Sequence, residues 1–431
     1  MSTEAQAVPG RQGRTGNSRL ESLLPLLAGS DNVRMIEHRE LQRDGAAFAG
    51  TGAVALLRAT PQDAPRLKEL GFAHVYAFHA CPTAAQPRWI FPSGTSGRRA
   101  LDEYVPHRLR GEFLKFWLRI SLLRNRNLLV IATRQLPALE RELSARLRQH
   151  AQLAFSLGTP GAYNKITATV LDGEHRVIAF AKIASLPFAQ AATLQEERIL
   201  RSLEDCSTIS QHIPQVLASF ELNGAQILVT SSGPKGRAPR KFGPCHTAFL
   251  QILGEHTTRT LRFEESMMWR NMENTFASVE GELAPAWHAL LQSMLEILRR
   301  ELGGALLPMG LAHGDFAPWN MRTLPDGSLY LFDWEFARPD CTPLYDVFHF
   351  EFAVRLLLLR RRWTVSNLVE YLGRIQLQKP IRASLLFLAF LTDLTLFYFL
   401  AMHRQGENQV HPDELVLIQA AFLLKTCKEW L

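Results

Sequence analysis

The stretch HGDFAPWNMRTLPDGSLYLFDWE, residues 313–335, decides how the fold of this chain is interpreted. Its centre, LPDG, has the composition of a tight turn, and the flanking segments MRTL and LYLF are typical of short strands. The pattern therefore predicts a β-hairpin. Such a hairpin returns Asp333 to the neighbourhood of Asn320, and Asp315 lies five positions before Asn320. We expect these three oxygen-bearing side chains to converge at one end of the ribbon.

The three side chains differ in the chemistry that they offer. An amide and a carboxylate that face each other, here Asn320 and Asp333, make an oxygen-only site that suits Mg²⁺ carrying phosphates. Asp315 is then left to accept or orient the proton of an attacking hydroxyl group. Phosphoryl transfer mainly requires positioning and charge neutralisation, so metal ligands plus one aligned base meet its needs. The predicted metal ligands are Asn320 and Asp333, and the predicted catalytic residue is Asp315.

The spacing D-x4-N-x12-D resembles the catalytic loop and metal-binding motif of the protein-kinase-like superfamily. The HGD opening and the DWE closing are similar to the aminoglycoside phosphotransferase and choline kinase branch of that superfamily. The resemblance covers about residues 150–431. It implies ATP and Mg²⁺ as cofactors, a catalytic role for Asp315, and metal coordination by Asn320 and Asp333.

The segment after DWE bears on the substrate. Protein kinases have a long activation segment there, whereas twelve residues separate Asp333 from Asp346 in this chain. The resemblance therefore implies an enzyme, a small-molecule kinase, that phosphorylates a hydroxyl of a sugar, amino sugar or amino alcohol. The alternative is a nucleotide-binding pseudokinase that acts as a regulatory or scaffold module.

Residues 150–233 predict five strands and one helix. The strands are expected at residues 153–157, 166–171, 177–183, 216–222 and 225–230, and the helix at residues 192–203. By the resemblance, Lys182 on the third strand holds the α- and β-phosphates of ATP, and Glu196 on the helix is its ion-pair partner. Glu197 is an adjacent competitor, because one of the two neighbouring carboxylates faces the strand.

The segment SLGTPGAYNK, residues 156–165, has the position of the phosphate-covering loop. It departs from the GxGxxG of protein kinases and holds two glycines, Gly158 and Gly161. Contact between its backbone and the cofactor phosphates is one interpretation, and an ordinary hairpin turn is the other.

Other residues near the hairpin are expected to support the site. His313 is predicted to fix the catalytic loop by hydrogen bonds, Trp319 and Trp334 to pack beneath it, and Asp346 to cap or brace a helix. Glu335 is a candidate ligand for a second metal.

These patterns predict an α+β protein with a bilobed protein-kinase-like fold. A five-stranded N-lobe with one helix and a helical C-lobe would follow a small α/β N-terminal domain. The expected divisions are a disordered leader at residues 1–19, a basic α/β accessory domain at 20–149, the N-lobe at 150–233 and the C-lobe at 234–431.

The basic charge of the chain is concentrated in its first third. Residues 1–150 hold 22 Lys and Arg against 13 Asp and Glu, a net charge of +9, although the whole chain carries +7. Residues 108–126 interleave basic and apolar residues at helical spacing, which is typical either of a solvated helix or of peripheral membrane contact. This basic region contains no nucleic-acid recognition motif, so no nucleic-acid partner is expected.

The remaining features concern compartment. Five cysteines have no CxxC pair and no zinc spacing, which favours reduced thiols in the cytoplasm, and the N-terminus lacks the apolar run of a secretory signal. Residues 383–402 are long and apolar enough for a membrane span. Because Asp393 lies in their centre, a buried core helix is the favoured interpretation. The oligomeric state is left open.

Overall fold

A ten-stranded sheet forms the larger part of the β-structure in the computed structural model. The structure describes residues 18–28, 32–43, 48, 51–60, 62–83, 87–103, 109–123, 128–158, 163–375, 382–403 and 413–430. The ten strands are β1 (Val33–Glu37), β2 (Ala53–Leu57), β3 (His74–Pro82), β4 (Pro87–Pro92), β5 (Leu128–Thr133), β6 (Gln152–Ser156), β7 (Ile166–Leu171), β8 (Val177–Ala184), β9 (Val216–Leu222) and β10 (Ala225–Ser231).

The strands lie in the order β1-β2-β5-β3-β4-β6-β7-β8-β10-β9. The β1 and β2 pair is parallel and the remaining pairs are antiparallel. The strands before residue 134 join those after residue 151 through the pairing of β4 with β6, where Trp89 faces Ser156 and Ile90 faces Phe155. The predicted boundary between residues 149 and 150 therefore falls inside one sheet, and the division into domains stays a prediction.

Helices cover both faces of this sheet. They are α1 (Ser18–Ala28), α2 (His38–Arg43), α3 (Asp63–Glu69), α4 (Thr95–Asp102), α5 (Leu109–Leu123), α6 (Ala138–Leu147), α7 (Pro187–Glu204) and the short α8 (Ser207–Ser210). Helices α1 and α6 pack on one face over buried alanines and branched residues of β7, β8 and β10. Helix α1 begins at Ser18, inside the segment expected to be a leader, and residues 1–17 lie outside the described residues.

The alternation of side chains along β8 orients the face that matters for function. Ala179, Ala181 and Ile183 point into the core under α1 and α6, so Phe180 and Lys182 point to the opposite face. The pairing register sets Thr167 of β7 opposite Lys182. Helix α7 packs against β8, β9 and β10, where its buried residues include Glu196.

The residues after 243 are mainly helical, as predicted. The helices are α9 (Pro244–Thr257), α10 (Met267–Val279), α11 (Pro285–Leu302), α12 (Tyr345–Ala353), α13 (Val365–Gly373), α14 (Ala383–His403) and α15 (Asp413–Trp430). Five short strands also occur in this part: β11 (Arg259–Arg262), β12 (Leu306–Ala312), β13 (Met321–Thr323), β14 (Leu329–Leu331) and β15 (Arg338–Cys341). The protein is thus a mixed α and β fold with a large sheet.

Two of these small sheets hold the motif segment in place. Strands β13 and β14 form the predicted hairpin, with Met321 opposite Leu331 and Thr323 opposite Leu329. Strands β11, β12 and β15 form a three-stranded sheet that the sequence did not predict. Because β12 ends at Ala312, His313 and the loop that follows begin directly at the end of this sheet.

Helix α14 lies in the core of the helical part. Its residues 385–391 are buried together with side chains of α10, α11, α12 and α15. Asp393 accepts hydrogen bonds from Arg338 and from the Tyr345 hydroxyl group, which satisfies the charge that an isolated apolar helix would expose. Within the part of the chain that the structure describes, this is the one helix long and apolar enough to cross a membrane. Its contacts agree with the interpretation as a core helix.

Candidate active site

A cavity of about 260 Å³ opens between β8, α7 and the hairpin. Two of its walls are apolar or aromatic, from Phe180 on β8 and from Tyr330 and Phe332 on the hairpin side. The charged wall combines Lys165, Lys182, Glu196 and Asp333, and the remaining lining comes from Glu103, Thr167, Pro214, Thr230, Ser231, Gly233, Pro234 and Arg322. A mostly apolar cleft with a few convergent charges is the usual form of a small-molecule site.

Lys182 and Glu196 form the ion pair that the sequence predicted. The Lys182 ammonium group donates to both carboxylate oxygens of Glu196, with the Oε1 contact at 2.6 Å. Glu196 Oε1 also accepts from the backbone N–H of Trp334 at 3.2 Å. Glu197, the competitor, faces the other way and bonds to Ser219 and Arg201. Helix α7 is therefore tied through one glutamate both to β8 and to the DWE segment.

Asp333 receives two ammonium groups on the same oxygen. Its Oδ1 lies 2.5 Å from Lys182 Nζ and 2.9 Å from Lys165 Nζ. Burial alone would raise the pKa of Asp333, but the two lysines outweigh burial and hold that pKa well below its usual range. The residue adopts a left-handed backbone conformation, with φ +71°. Such a conformation is uncommon for a non-glycine residue and often accompanies a functional site.

Lys165 also bonds to Glu335, so the site contains a second lysine that the sequence did not single out. Of its two carboxylate partners, Glu335 is buried and Asp333 is half-buried. Burial, opposed in part by Lys165, raises the pKa of Glu335 to about 7. The two lysines and the carboxylates of Glu196, Asp333 and Glu335 make one contiguous charge cluster.

The loop from His313 to Asn320 is held by neutral hydrogen bonds. The backbone N–H of Asp315 donates to His313 Nδ1 at 3.3 Å, so Nε2 carries the proton and donates to the Phe332 carbonyl oxygen at 3.1 Å. Burial lowers the pKa of His313 to about 4, which keeps the ring uncharged. This agrees with the predicted role of His313 in fixing the loop.

Gly314 and Asp346 lock the same loop from two sides. A Cβ atom at position 314 would lie 2.0 Å from the Phe336 carbonyl oxygen, and the φ of Gly314 is +78°. No side chain fits there, so glycine allows the HGD and DWE segments to touch. Asp346, in the first turn of α12, accepts from the backbone N–H groups of His313 at 2.8 Å and Gly314 at 3.2 Å. Asp346 thus braces the loop from His313 to Asn320 and also lies in the first turn of its own helix.

Asp315 and Asn320 are in direct contact. Asn320 Nδ2 donates to Asp315 Oδ2 at 2.7 Å and to the Asp315 carbonyl oxygen at 3.0 Å, which leaves the amide oxygen of Asn320 for another partner. Asp315 Oδ1 lies 3.8 Å from Nε2 of His349 on α12. The Asp315 side chain is 26% exposed, so a substrate can reach it. Trp319 Nε1 lies 3.4 Å from Asp315 Oδ2, and Trp334 is buried against His313.

The predicted metal ligands, Asn320 and Asp333, are brought near each other by a backbone hydrogen bond of the hairpin. The N–H of Phe332 donates to the carbonyl oxygen of Asn320 at 2.9 Å, so Asn320 and Asp333 lie at the same end of the hairpin. Carboxylate oxygens of Glu196, Asp333 and Glu335 also lie within 4.8 Å of one another. This donor set consists of oxygen atoms alone and fits a hard divalent cation such as Mg²⁺. Asp333 belongs to both sets.

The glycine loop is described at its two ends. Gly158 has φ +65°, and a Cβ there would lie 2.6 Å from the Lys165 carbonyl oxygen and 2.5 Å from Asn164 Oδ1. Gly158 therefore packs against the residues that present Lys165. Gly161 lies outside the described residues. The contact of either glycine with a nucleotide stays a prediction.

The sequence missed Lys165 because its partners are remote. Asp333 and Glu335 lie 168 and 170 positions further along the chain, and a lysine beside a strand carries no local signal of such a contact. Three clustered carboxylates favour more than one cation beside them, but the sequence does not show that Glu196, Asp333 and Glu335 lie together.

Comparisons with known proteins bear on this site. A family model described as "Phosphotransferase enzyme family" matches residues 167–385, just over half of the chain. That stretch includes Lys182, Glu196, Asp315, Asn320 and Asp333. No curated protein matches the chain at a significant level.

Solved structures resemble the chain distantly. Choline kinase LicA from Streptococcus pneumoniae is 14% identical, with 68% of this chain and 99% of that chain covered and a TM-score of 0.43. Aminoglycoside phosphotransferase APH(2'')-Ib, bound to ADP, is 13% identical, with 66% and 96% covered and a TM-score of 0.41. A thermostable mutant of aminoglycoside phosphotransferase APH(4)-Ia, in its apo form, is 14% identical, with 67% and 97% covered and a TM-score of 0.44.

Proposed function

Because the chain belongs to the phosphotransferase enzyme family, and is therefore a small-molecule kinase, we propose that it transfers the γ-phosphate of ATP to a hydroxyl group of a small molecule in a Mg²⁺-dependent reaction. Membership agrees with the resemblance that the HGD and DWE segments suggested. We further propose that residues 150–233 and 234–431 act as the two lobes of a kinase-like fold, with the cavity between them as the ATP site.

The observation that carries the proposal is the contact of Lys182 with both Glu196 and Asp333. It joins β8, α7 and the segment after β14 at the charged wall of one cavity. A cation held between two carboxylates beside an aromatic cleft suits a ligand with an aromatic base and a phosphate chain. Phe180, Tyr330 and Phe332 would surround the base, and Lys182 would meet the phosphates.

The residues of the chain divide the chemistry as follows. Lys182, oriented by Glu196, neutralises charge on the α- and β-phosphates. Mg²⁺, when bound by Asn320 and Asp333, supplies further neutralisation of the phosphate oxygens. Asp315 orients the acceptor hydroxyl group and accepts its proton, while the hydrogen bond from Asn320 fixes the Oδ2 atom of Asp315. His313 and Asp346 keep the loop in this arrangement.

The acceptor is proposed to be a sugar, an amino sugar or an amino alcohol. Strand β15 begins at Arg338 and α12 at Tyr345, so the chain after Asp333 turns immediately into ordered structure and offers no extended platform for a peptide. We also propose a cytoplasmic location, because the five cysteines of the sequence include no CxxC pair and no zinc spacing, a pattern that favours the reduced thiols typical of that compartment.

Consumption of ATP, measured with a library of hydroxyl compounds in the presence of Mg²⁺ and again with EDTA, tests the function. The wild-type protein should turn over at least one compound and should stop when Mg²⁺ is removed. The variant Asp315→Asn should fold normally, bind ATP and lose about a thousandfold or more in turnover, because the base is lost.

The matched control is Asp205→Asn, which changes an exposed aspartate at the end of α7 and should leave turnover unchanged. Undiminished turnover by Asp315→Asn would contradict the catalytic role. ATP binding without turnover across the whole library would favour the alternative of a pseudokinase that acts as a regulatory or scaffold module.

A further inference from the structure

Two lysines share one carboxylate oxygen at the wall of the proposed ATP site. Lys165 and Lys182 both donate to Asp333 Oδ1, so two like charges are held close together in a mostly buried position. Glu196 and Glu335 supply the remaining negative charge on either side. Two cations in a cavity are stabilised only by negative groups that face them, and here three carboxylates do so. A chain of phosphates offers several negative oxygens in a row and can therefore take the place of Asp333 at one of the lysines.

The chain between β6 and β7 is built to hold Lys165 in this place. Gly158 approaches the Lys165 backbone so closely that a Cβ atom would collide with it. Two residues before Lys165, the Tyr163 ring packs on Phe336 at 5.3 Å and on Phe397 at 5.9 Å. These two anchors fix the end of the loop against the segment that carries Asp333 and Glu335.

We propose that Lys165 is a second phosphate-binding lysine of the nucleotide site. It follows a β6–β7 loop that has two glycines where the protein-kinase loop has three, and its side chain would contact the phosphates. This role rests on the proposed ATP site and deepens it. In the structure Lys165 bonds to Asp333 and Glu335. When a nucleotide is bound, phosphate oxygens accept a hydrogen bond from the Lys165 ammonium group. Asp333 then loses its contact with Lys165 and can bind the metal, while Glu335 remains bonded to Lys165.

Calorimetric binding of ATP, ADP and adenosine, each with Mg²⁺, tests this role without depending on turnover. Lys165→Met should weaken ATP binding about 10- to 100-fold, the loss of one charge-assisted hydrogen bond. Adenosine binding should stay unchanged because adenosine has no phosphates. Lys165→Arg should recover most of the ATP affinity. The exposed Lys68→Met on α3 is the matched control and should bind like the wild type.

Two further variants guard against a folding artefact. Lys165→Met/Glu335→Gln removes both members of the ion pair and should show the same loss for ATP. Gly158→Ala should displace Lys165 and weaken ATP binding more than adenosine binding. If Lys165→Met and the double variant both bind ATP as tightly as the wild type, or more tightly, the role is refuted and the function stands. If the wild type binds no nucleotide, the proposed function fails as well.

A second inference comes from the surface of α5 and does not depend on the ATP site. Phe113, Phe116 and Trp117 are 75%, 63% and 48% exposed, although such residues are usually buried. Their spacing of three and four positions sets them on one face of the helix. Residues 108–126 contain six Arg and Lys and one Glu, so the aromatic face belongs to a strongly basic segment.

We infer that α5 lies on an anionic lipid surface. A sequence segment rich in both aromatic and basic residues is typical of interfacial helices. A second copy of the chain is a poorer occupant, because the basic segments of two copies would repel each other. The three exposed rings also offer on the order of 400 Å², below the roughly 800 Å² per partner of a stable protein interface.

Co-sedimentation with vesicles distinguishes these occupants. The wild type should bind vesicles that contain phosphatidylglycerol at least about tenfold more strongly than pure phosphatidylcholine, and added salt should weaken that binding. A triple variant, Phe113→Ser with Phe116→Ser and Trp117→Ser, should lose the binding. Phe422→Ser, an exposed phenylalanine on α15, is the control and should retain it. Equal sedimentation of the wild type and the triple variant would refute the inference. So would the finding that the wild type and Phe422→Ser form a dimer and the triple variant does not.

Discussion

The two sides of the candidate site are held together by different kinds of interaction. On the nucleotide side, Lys165, Lys182, Glu196, Asp333 and Glu335 form a cluster of ion pairs between side chains from separate elements. On the catalytic-loop side, an uncharged histidine and a carboxylate that accepts backbone N–H groups hold the chain. Ion pairs can exchange one partner for a charged ligand, whereas buried backbone hydrogen bonds have no such substitute.

This contrast predicts that one side of the site responds to a ligand and that the other does not. The cluster contains two cations and three carboxylates, so it has groups for both a phosphate and a metal ion to bind. The N–H groups of His313, Gly314 and Asp315 have acceptors within the protein, so the proposed base, Asp315, is held by a loop that needs no ligand to order it. Changes on the first side should alter binding and metal dependence, and changes on the second should alter stability and turnover together.

The largest effect is expected from Asp333→Asn, which removes the carboxylate that both lysines contact and that is proposed to bind the metal. Mg²⁺-dependent turnover should fall about a thousandfold or more, because the amide cannot neutralise a divalent ion. Affinity for ATP without Mg²⁺ should change little, because the ion pair with Glu196 still orients Lys182. Steady-state kinetics at several Mg²⁺ concentrations, with calorimetry for ATP, measure the two quantities.

Glu335→Gln provides the comparison for Asp333→Asn within the same cluster. It should cost about tenfold or less in turnover, since Glu335 is proposed to hold Lys165 and not the metal. Equal losses of turnover in the two variants would contradict the proposal that Asp333 binds the metal and Glu335 holds Lys165.

The next effect concerns the loop side. Asp346→Ala leaves the backbone N–H groups of His313 and Gly314 without their acceptor in a buried place. An unsatisfied buried donor costs about 1–3 kcal/mol, so the free energy of unfolding should fall by roughly 3 kcal/mol and turnover should fall with it. Urea denaturation followed by circular dichroism gives the stability. Asp346→Asn, which retains one acceptor oxygen, should lose less. A variant with full stability and low turnover would assign Asp346 to the chemistry and not to the brace.

The sequence predicted some members of the site and missed another. The hairpin was predictable because LPDG between two short apolar runs specifies its own turn, and β13 and β14 pair as expected. Lys182 and Glu196 were predicted from the family resemblance, which places a lysine on the third strand and its glutamate partner on the helix that follows. Lys165 was not predictable, because its partners come from a segment more than 160 residues away, and contacts of that range depend on the whole fold.

Two features of the fold escaped prediction for similar reasons. Strand β12 contains Pro308 and Gly310, residues that argue against a strand when the sequence alone is considered. It forms nevertheless, because β11 and β15 pair with it on either side. The union of the first five strands with the next five depends on the pairing of β4 with β6, a contact between segments about 65 positions apart, and neither strand signals it. Sequence patterns thus described the elements well and their long-range neighbours poorly.

The smallest effect tests the neutral histidine. Burial lowers the pKa of His313 from 6.5 to about 4 in the folded protein, so between these values the unfolded chain binds a proton that the folded chain does not. The contribution of His313 to stability is therefore complete above pH 6.5 and is lost as the pH drops toward 4, by about 2 kcal/mol between pH 7.5 and 5. Asp333 should not contribute to this loss, because its lysines keep it ionised over the whole interval. In His313→Gln the pH slope of the unfolding free energy should be smaller by that amount, whereas His150→Gln, at an exposed position, should keep the wild-type slope. An unchanged slope in His313→Gln would mean that the catalytic loop tolerates a charged ring, and that the contrast between its neutral bonds and the neighbouring ion pairs has no energetic basis.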